Sequence, residues 1–187
     1  MNRATQKEQT HHHLLSRAYS EFARRGFLST KTLDIAKAAG VSHGTIFVHF
    51  PTKEELLMKT IDAFGLRVGR RLQQLVASKR TVKEVLLAHL ETIREFEPFY
   101  AHLVIEGPLL GESLRSRIFM IQSGVAHQLE KSMQGKKSSV PIHFLLNSWL
   151  GLIHYYLANR DLFAPGKSVI ATCGQELLDH FVNVFQL

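Results

Sequence analysis

The chain has 187 residues, of which 45% are hydrophobic and 21% charged, so it can bury a core and is not a disordered protein. Its formal net charge of +7 favours an acidic partner such as nucleic acid or an anionic membrane surface, and its single cysteine, Cys173, excludes a disulfide framework within one chain. The polar first eight residues and the absence of an apolar run of about 20 residues argue against a secretory signal and a membrane span, so we expect a soluble, cytoplasmic protein with no membrane partner.

Helical periodicity dominates the N-terminal part of the chain. Apolar residues spaced i, i+3, i+4 and i+7 from Leu15 onward define one face of a first helix, and Gly26 follows in its C-cap region. Ser42 and Thr52 carry side chains that favour helix N-caps, and Pro51 stops the helix between them. We place four helices at about residues 6–25, 30–39 (beginning at residue 30 or 31), 42–50 and 53–78.

The remainder of the chain is also predicted to be helical. Thr81 has the side chain of an N-cap for a fifth helix, Pro98 can start a sixth, and the pair Gly107-Pro108 ends it. We place five helices here, at about residues 81–96, 98–106, 112–134, 141–159 and 168–185, with a solvated loop at residues 135–138. The sequence therefore predicts an all-α protein of about nine helices.

Residues 32–47 have the pattern of a helix-turn-helix. Ala36 is small enough for two helices to approach closely, and Gly40 can take the left-handed conformation that a tight turn requires. The small core between the helices would be filled by Ile35, Val41 and Ile46. The second helix of such a motif projects its N-terminal residues outward, where they can meet base edges in a DNA major groove.

Four strings stand in a fixed order between residues 14 and 57, about a quarter of the chain: Asp34-Ile35-Ala36, Ala39-Gly40-Val41-Ser42, Gly44-Thr45-Ile46-Phe47 and HFPTKEELL at 49–57. In order and spacing they resemble the signature of the TetR family of bacterial transcriptional repressors. The resemblance implies a homodimer bound to double-stranded operator DNA. It also implies an N-terminal three-helix helix-turn-helix DNA-binding domain at residues 1–52 and a C-terminal helical ligand-binding and dimerisation domain at residues 53–187.

The same resemblance assigns residues to the DNA interface. In the family, the start of the third helix reads bases, while the start of the second helix and the residues after the third face phosphates. His43 can donate or accept a hydrogen bond at a purine edge, and the methyl group of Thr45 can meet a thymine methyl. The predicted DNA-binding residues are Thr30, Lys31, Thr32, Leu33, Ser42, His43, Gly44, Thr45, Phe47, His49 and Lys53.

Two of these positions depart from the family pattern. Phe47 stands where the family usually has tyrosine, so the hydroxyl that contacts phosphate is missing, and Leu33 stands where many relatives carry arginine. Simpler interpretations remain open from the sequence alone: Phe47 could be a core residue, Lys31 and Lys53 could be merely solvated, and His43 could point into water.

The C-terminal part supplies candidates for an effector pocket and a dimer interface. Its aromatic residues and histidines suggest a pocket bounded by the fifth to eighth predicted helices, although residues of this kind at helical spacing are more often core, and the histidines could also bind a metal together. The predicted pocket residues are Phe96, Phe99, Tyr100, His102, Phe119, Met120, His127, Phe144 and Tyr155. The predicted dimer interface, on the eighth and ninth helices, consists of Trp149, Ile153, Leu157, Leu177, Leu178, Phe181 and Val184.

Motifs of catalysis are lacking: the sequence has no glycine-rich phosphate loop, nucleophile elbow or paired His-Glu zinc motif. We expect no catalytic residue, cofactor or metal site, and hence no enzyme. The predicted function is a ligand-responsive, DNA-binding transcriptional regulator, a repressor released from its operator by a small apolar or aromatic effector. The alternatives are a constitutive DNA-binding protein without an effector and a small α-helical enzyme that uses buried histidines.

Overall fold

The computed structural model describes residues 3–77, 81–133 and 140–187. These parts contain no strand, which confirms the predicted all-α class. They comprise nine α-helices: α1 Arg3–Arg25, α2 Thr32–Ala39, α3 His43–His49, α4 Lys53–Val76, α5 Val82–Glu106, α6 Glu112–Met133, α7 Ile142–Ala158, α8 Arg160–Phe163 and α9 Val169–Phe185. A short 3-10 turn at Gly107–Leu109 follows α5. The predicted loop at 135–138 lies outside the described residues.

The helix caps read from the sequence are confirmed. The Thr52 hydroxyl accepts a hydrogen bond from the Glu55 amide at the start of α4 (3.0 Å), and Thr81 caps α5 by accepting from the Glu84 amide (3.2 Å). Gly40 ends α2 in the left-handed region, with φ 67°. These local hydrogen bonds satisfy backbone groups that would otherwise be unpaired at the helix ends, which is why short-range sequence patterns find them.

The predicted fifth and sixth helices are wrong as separate elements, because one helix, α5, runs through Pro98. Pro98 is exposed, whereas Phe96, Phe99 and Tyr100 around it are buried. A proline inside a helix costs about 3 kcal/mol, and burying one large apolar side chain contributes roughly 1.5–3 kcal/mol. Burial on both sides of the proline therefore outweighs its local cost.

The second difference is α8, a four-residue helix in the segment where the sequence predicts only a break. The predicted eighth helix ends one residue early, at Ala158, and the chain turns at Asn159 before α8 begins at Arg160. Such a short helix has too few residues to show a periodic apolar face, so the pattern in the sequence could not reveal it.

Helix α5 lies at the centre of the molecule and packs against α1, α4, α6, α7 and α9. An aromatic cluster joins it to the N-terminal helices: the ring of Phe99 lies 4.7 Å from those of Tyr19 and Phe64 and 5.2 Å from that of Phe27 (centroid to centroid). The buried apolar residues form one continuous core. Helices α4 and α5 therefore contact α1 directly through buried side chains. None of the described helices is long and apolar enough to cross a membrane.

Candidate nucleic-acid interface

The turn between α2 and α3 is built by a left-handed glycine and a small apolar core. The Val41 amide donates to the Ala36 carbonyl across the turn (3.1 Å), while Ile35, Ala36 and Ile46 are buried. This packing fixes the angle between the two helices. Because the buried side of α3 faces α2, its other side is turned toward solvent.

The first turn of α3 presents an ordered set of polar side chains. The Ser42 hydroxyl accepts from the Thr45 amide (3.2 Å) and lies 2.8 Å from the Thr45 hydroxyl. Nε2 of His43 lies 2.9 Å from the Thr32 hydroxyl at the start of α2. His43 and Gly44 are exposed. Four of the predicted base-reading or phosphate-facing residues are thus linked by hydrogen bonds that hold them in place before any partner arrives.

Exposed apolar residues stand beside this polar set. Phe47 is 44% exposed and its ring meets that of His43 edge to face at 5.1 Å. The simpler interpretation of the sequence, that Phe47 is a core residue, is therefore wrong. Leu33, on α2, and Val48, next to Phe47, are also exposed. A surface on which both hydrogen-bonding groups and apolar groups are free to make contacts matches what the edges of bases require.

Thr30 does not belong to this surface. Its side chain is fully buried, and its hydroxyl donates to the Gly26 carbonyl (2.6 Å). The resemblance placed it at the phosphate-facing start of the second helix, but that helix begins two residues later, at Thr32. The Thr30 hydroxyl instead stabilises the loop that follows α1 by this hydrogen bond. Lys31, one residue on, is exposed and remains available to a phosphate.

Lys53 also has an internal partner. Its ammonium group donates to the Leu28 carbonyl (3.3 Å), and partial burial lowers its pKa while nearby Glu106 acts in the opposite direction. The Leu28 amide in turn donates to Glu106 at the end of α5 (2.7 Å). Sequence reasoning missed this link, because Leu28 and Glu106 are far apart in the chain and nothing in the local pattern connects them.

His49 lies at the edge of the same surface. Its ring is half-buried, 6.0 Å from that of His11 on α1. The pKa of His49 is lowered by burial and by the positive charge of Lys7, and burial is also the main cause of the lowered pKa of His11. Burial therefore favours the neutral form of both rings. Within the described part of the chain, no group of three or more His, Cys, Asp or Glu side chains is arranged to hold a metal ion.

A small cavity lies in the C-terminal part, between α4, α5 and α6. Its volume is only about 10 Å³, close to the minimum that holds one water molecule. Two residues of the predicted pocket, Phe96 and Tyr100, line it. The remaining lining residues are Phe64, Val68, His89, Thr92, Ile93, Ile121, Gln122 and Val125.

The other predicted pocket residues do not reach this cavity. Phe99 is buried in the aromatic cluster with α1, and His102 is paired with Glu106 (2.8 Å). The rest lie on the outer faces of α6 and α7, where their side chains are exposed: Phe119, Met120, His127, Phe144 and Tyr155. Helical spacing identifies which residues share a face, but not whether that face is turned inward.

The polar groups at the cavity are neutral and paired. The Trp149 indole donates to Nδ1 of His89 (3.0 Å), and the Tyr100 hydroxyl lies 2.9 Å from Nε2 of His154. Burial lowers the pKa of His89 to about 3 and that of His154 to about 4, and it raises the pKa of Tyr100. The wall is therefore apolar with a few uncharged hydrogen-bonding groups, a composition typical of small-molecule sites.

Comparison with known proteins agrees with this architecture. Residues 14–59 match the family described as "Bacterial regulatory proteins, tetR family". Over this stretch, about a quarter of its length, the chain is similar to the TetR family. Two curated relatives, the HTH-type transcriptional repressor Rv3405c of Mycobacterium tuberculosis and the HTH-type transcriptional regulator Mb3439c of Mycobacterium bovis, are each 37% identical over 68 residues. That match spans 36% of this chain and only 36% of each relative.

Solved structures share the fold over nearly the whole chain. The regulator FadR from Bacillus subtilis, in complex with stearoyl-CoA, has a TM-score of 0.70 at 21% identity, covering 91% of this chain and 96% of FadR. NemR of E. coli in its reduced form has a TM-score of 0.72 at 20% identity, covering 94% and 96%. The chain therefore shares with both regulators the fold of a helix-turn-helix followed by a helical C-terminal part.

Most of the predicted dimer residues are part of the monomer's own core. Trp149, for example, is fully buried and contacts Phe181 of α9 ring to ring at 5.0 Å. The same burial holds for the others, which pack inside the chain: Ile153, Leu157, Leu177 and Leu178. They correspond to the inner faces of α7 and α9. Of the predicted set only Val184 is exposed, at 59%.

Proposed function

We propose that this protein is a transcriptional repressor that binds operator DNA as a homodimer and is released by a small uncharged effector. One observation carries the DNA-binding part: the first turn of α3 is exposed and held by hydrogen bonds, at the position where the matched family has its helix-turn-helix. Residues 1–52 would then form the DNA-binding domain, or reading head, and residues 53–187 would form the effector-binding and dimerisation domain. The boundary is a functional one, since the core continues across it.

Site selection from random DNA tests the reading head. The wild-type protein should return a motif with two half-sites whose centres are about 10–10.5 base pairs, or a multiple of this, apart. His43→Ala should relax one or two positions of that motif, at roughly 1–3 kcal/mol per lost base contact. His127→Ala removes an exposed histidine on α6 and serves as the control, with an unchanged motif. A wild-type protein that binds all duplexes equally well would contradict the proposal.

We infer that the effector enters the cavity between α4, α5 and α6. The space is too small for a ligand as it stands, so binding has to separate these helices. Phe64 and Val68 in its wall belong to α4, whose first residue, Lys53, contacts the loop preceding α2. An opened cavity would displace α4 and with it the reading head. A ligand acts in this way only if it binds the opened form more tightly than the closed one.

The size and lining of the cavity restrict the effector. Its walls carry no charged group, which favours a small apolar or aromatic compound with one or two hydrogen-bonding atoms. FadR from Bacillus subtilis is described with stearoyl-CoA. The uncharged walls of the cavity here offer no cation for the phosphate groups of such a molecule, so we do not propose the same ligand. The near-solid core is also the observation that favours the second candidate, a constitutive DNA-binding protein without effector.

A thermal-shift screen of small aromatic compounds, followed by a DNA-release assay with each hit, separates the two candidates. A true effector should raise the melting temperature by mass action and should also release the operator. Val125→Leu adds one methylene to the cavity wall and should weaken both effects. Val184→Leu makes the same change on an exposed site and should alter neither. Compounds that stabilise the protein and never change its DNA affinity would favour the constitutive binder.

We place the dimer interface on the outer faces of α7 and α9. Phe144, Gly151 and Tyr155 lie on one exposed stripe of α7, because seven and eleven residues correspond to about two and three helical turns. Val184 on α9, which packs beside α7, is exposed as well. Large exposed apolar side chains close together are typical of an interface. The small Gly151 between them would permit a second helix to approach closely.

A further inference from the structure

A second opening, distinct from the interior cavity, lies where the end of α1 meets α5 and the segment that joins α8 to α9. It is a cleft with a volume of about 420 Å³, and it shares no lining residue with the interior cavity. Ala23, Pro98 and Ala101 form apolar parts of its wall. The proposed effector mechanism makes no use of this cleft.

Four cationic side chains line the cleft: Arg24, Arg94, Arg160 and Lys167. Arg24 forms an ion pair with Glu21 (2.7 Å). The other three have no carboxylate partner within 4.0 Å among the described residues, which include every Asp and Glu of the chain. Like charges repel one another, so such a group is unfavourable unless something neutralises it.

Arg160 supplies the most specific observation. Its Nη1 nitrogen is buried and has no hydrogen-bond partner in the described structure. Guanidinium N–H groups that are removed from water are normally paired, because an unpaired one loses its hydration without compensation. Arginines on an ordinary solvated face do not have this problem. A rotation of the Arg160 side chain toward the cleft would exchange this unpaired position for an acceptor bound there.

Glu97 does not fill that role. It is the only carboxylate that lines the cleft, and its two oxygens are already engaged at the start of α9. They accept hydrogen bonds from the Val169 amide (2.7 Å), the Ile170 amide (3.3 Å) and the Ser168 hydroxyl. The negative charge of Glu97 is directed at the end of α9, where the helix dipole favours it. The three unpaired cations are left without a counter-ion from the chain.

We propose that this cleft binds a small anionic molecule through a phosphate or carboxylate group, held mainly by Arg160 and Lys167. The planar guanidinium group offers parallel N–H donors that match both kinds of oxyanion, and an ammonium group adds a compact positive charge. The apolar wall would contact the carbon skeleton of the ligand. A bound anion would contact Arg24 of α1 and Lys167 between α8 and α9 at the same time, and so would link these two parts of the fold.

Calorimetric titration of the full-length protein at low ionic strength tests the site, with pyrophosphate and citrate as the two probes. Wild type should bind at least one probe with saturation. The double variant Arg160→Gln/Lys167→Gln should bind it at least tenfold more weakly. Arg115→Gln/Lys131→Gln removes the same charge from exposed positions on α6 and should bind as wild type does. Preference for pyrophosphate identifies a phosphate ligand, and preference for citrate identifies a carboxylate ligand.

Two results would overturn the proposal: no saturable binding of either probe by wild type, or an equal loss of affinity in both double variants, which would reflect net charge alone. Thermal melting of each variant verifies that it folds. If the Arg160 double variant does not fold, Lys167→Gln alone, at an exposed position, should still weaken binding about threefold. The titrations contain no DNA, so their outcome is independent of the proposed repressor function.

Discussion

At Gly26 the backbone and the packing both require glycine. Its φ is 85°, and a Cβ atom at this position would lie 2.0 Å from the Glu106 carboxylate, the group that binds the Leu28 amide. Gly26→Ala should therefore lower the free energy of unfolding by about 1–3 kcal/mol from backbone strain, with more from the clash. Chemical denaturation measures the change.

Gly69→Ala is the matched control at a glycine without these constraints. Gly69 lies inside α4, and an added Cβ would meet no atom within 4 Å. Alanine is favoured over glycine in a helix interior by about 0.5–1 kcal/mol, so this variant should be more stable than wild type. Equal stability of the two variants would show that neither the left-handed backbone at Gly26 nor its contact with Glu106 is kept in solution.

His89 should make the protein less stable in acid. The folded protein keeps His89 neutral down to pH about 3, whereas an unfolded histidine binds a proton near its ordinary pKa of 6.5. Between these values the unfolded state holds the extra proton, so the free energy of unfolding decreases as the pH falls, by up to about 1.4 kcal/mol per pH unit. His89→Gln keeps an acceptor for Trp149 and should make this slope shallower between pH 6 and 4, as measured by denaturant melts. Part of the slope remains, because burial lowers the pKa of His154 to about 4 as well.

His127→Gln, at an exposed histidine, serves as the control for that experiment and should retain the wild-type slope. Acidic residues contribute their own pH dependence, but they are the same in all three proteins, so the comparison isolates His89. Identical slopes in wild type and His89→Gln would mean that His89 is accessible to protons in the folded state. They would also argue against a closed, neutral wall around the interior cavity.

At the level of helices, the start of α9 donates several hydrogen bonds to one side chain of α5. Glu97 accepts hydrogen bonds from two amides and one hydroxyl at the start of α9. Glu97→Ala should destabilise the protein by about 2–4 kcal/mol, because buried donors lose a charged acceptor. Glu95→Ala breaks a pair with Arg71 in which both side chains are well exposed. Such pairs contribute at most about 1 kcal/mol.

Denaturant unfolding of the two variants gives the comparison. A cost for Glu97→Ala no larger than that for Glu95→Ala would indicate that water replaces the carboxylate at the helix end, and that the start of α9 is open to solvent. The same test bears on α5, because Glu97 immediately precedes Pro98. The helix continues through this proline since the residues around it, Glu97 among them, are buried and bonded.

For the whole molecule, the proposed dimer depends on the exposed face of α7. Gly151→Arg places a long charged side chain in the middle of the proposed interface and should give monomers that bind the operator poorly, since one reading head meets one half-site. Gly124→Arg makes the same change on the exposed side of α6, where an added Cβ also meets no atom within 4 Å. Sedimentation should show this control as a dimer. Dimers in both variants would place the interface elsewhere.

The buried positions of the originally predicted interface are expected to behave differently. Leu177 and Phe181 are nearly inaccessible within one chain. Replacing both with glutamate would bury two carboxylates in the monomer core, which costs several kcal/mol in desolvation. We expect such a protein to unfold rather than to dissociate into folded monomers. Circular dichroism distinguishes the two outcomes.

The sequence by itself determined the features that depend on near neighbours in the chain. Helix identity, the caps at Ser42, Thr52 and Thr81, and the left-handed turn at Gly40 follow from local hydrogen bonds and from apolar periodicity. The helix-turn-helix was predictable for the same reason, because its two helices lie within 18 consecutive residues, 32–49.

Only the tertiary structure decided what depends on distant residues. Periodicity shows that α7 has an apolar face, but not that this face packs on α5. Most of the residues predicted for the dimer interface therefore lie in the monomer core. Packing likewise buried Thr30, carried α5 through Pro98 and left Phe119 outside. The cleft at Arg160 gathers cations from α1, α5 and the α8–α9 segment, between residues 24 and 167. Charges so far apart in sequence meet only because burial of the apolar core brings these helices together.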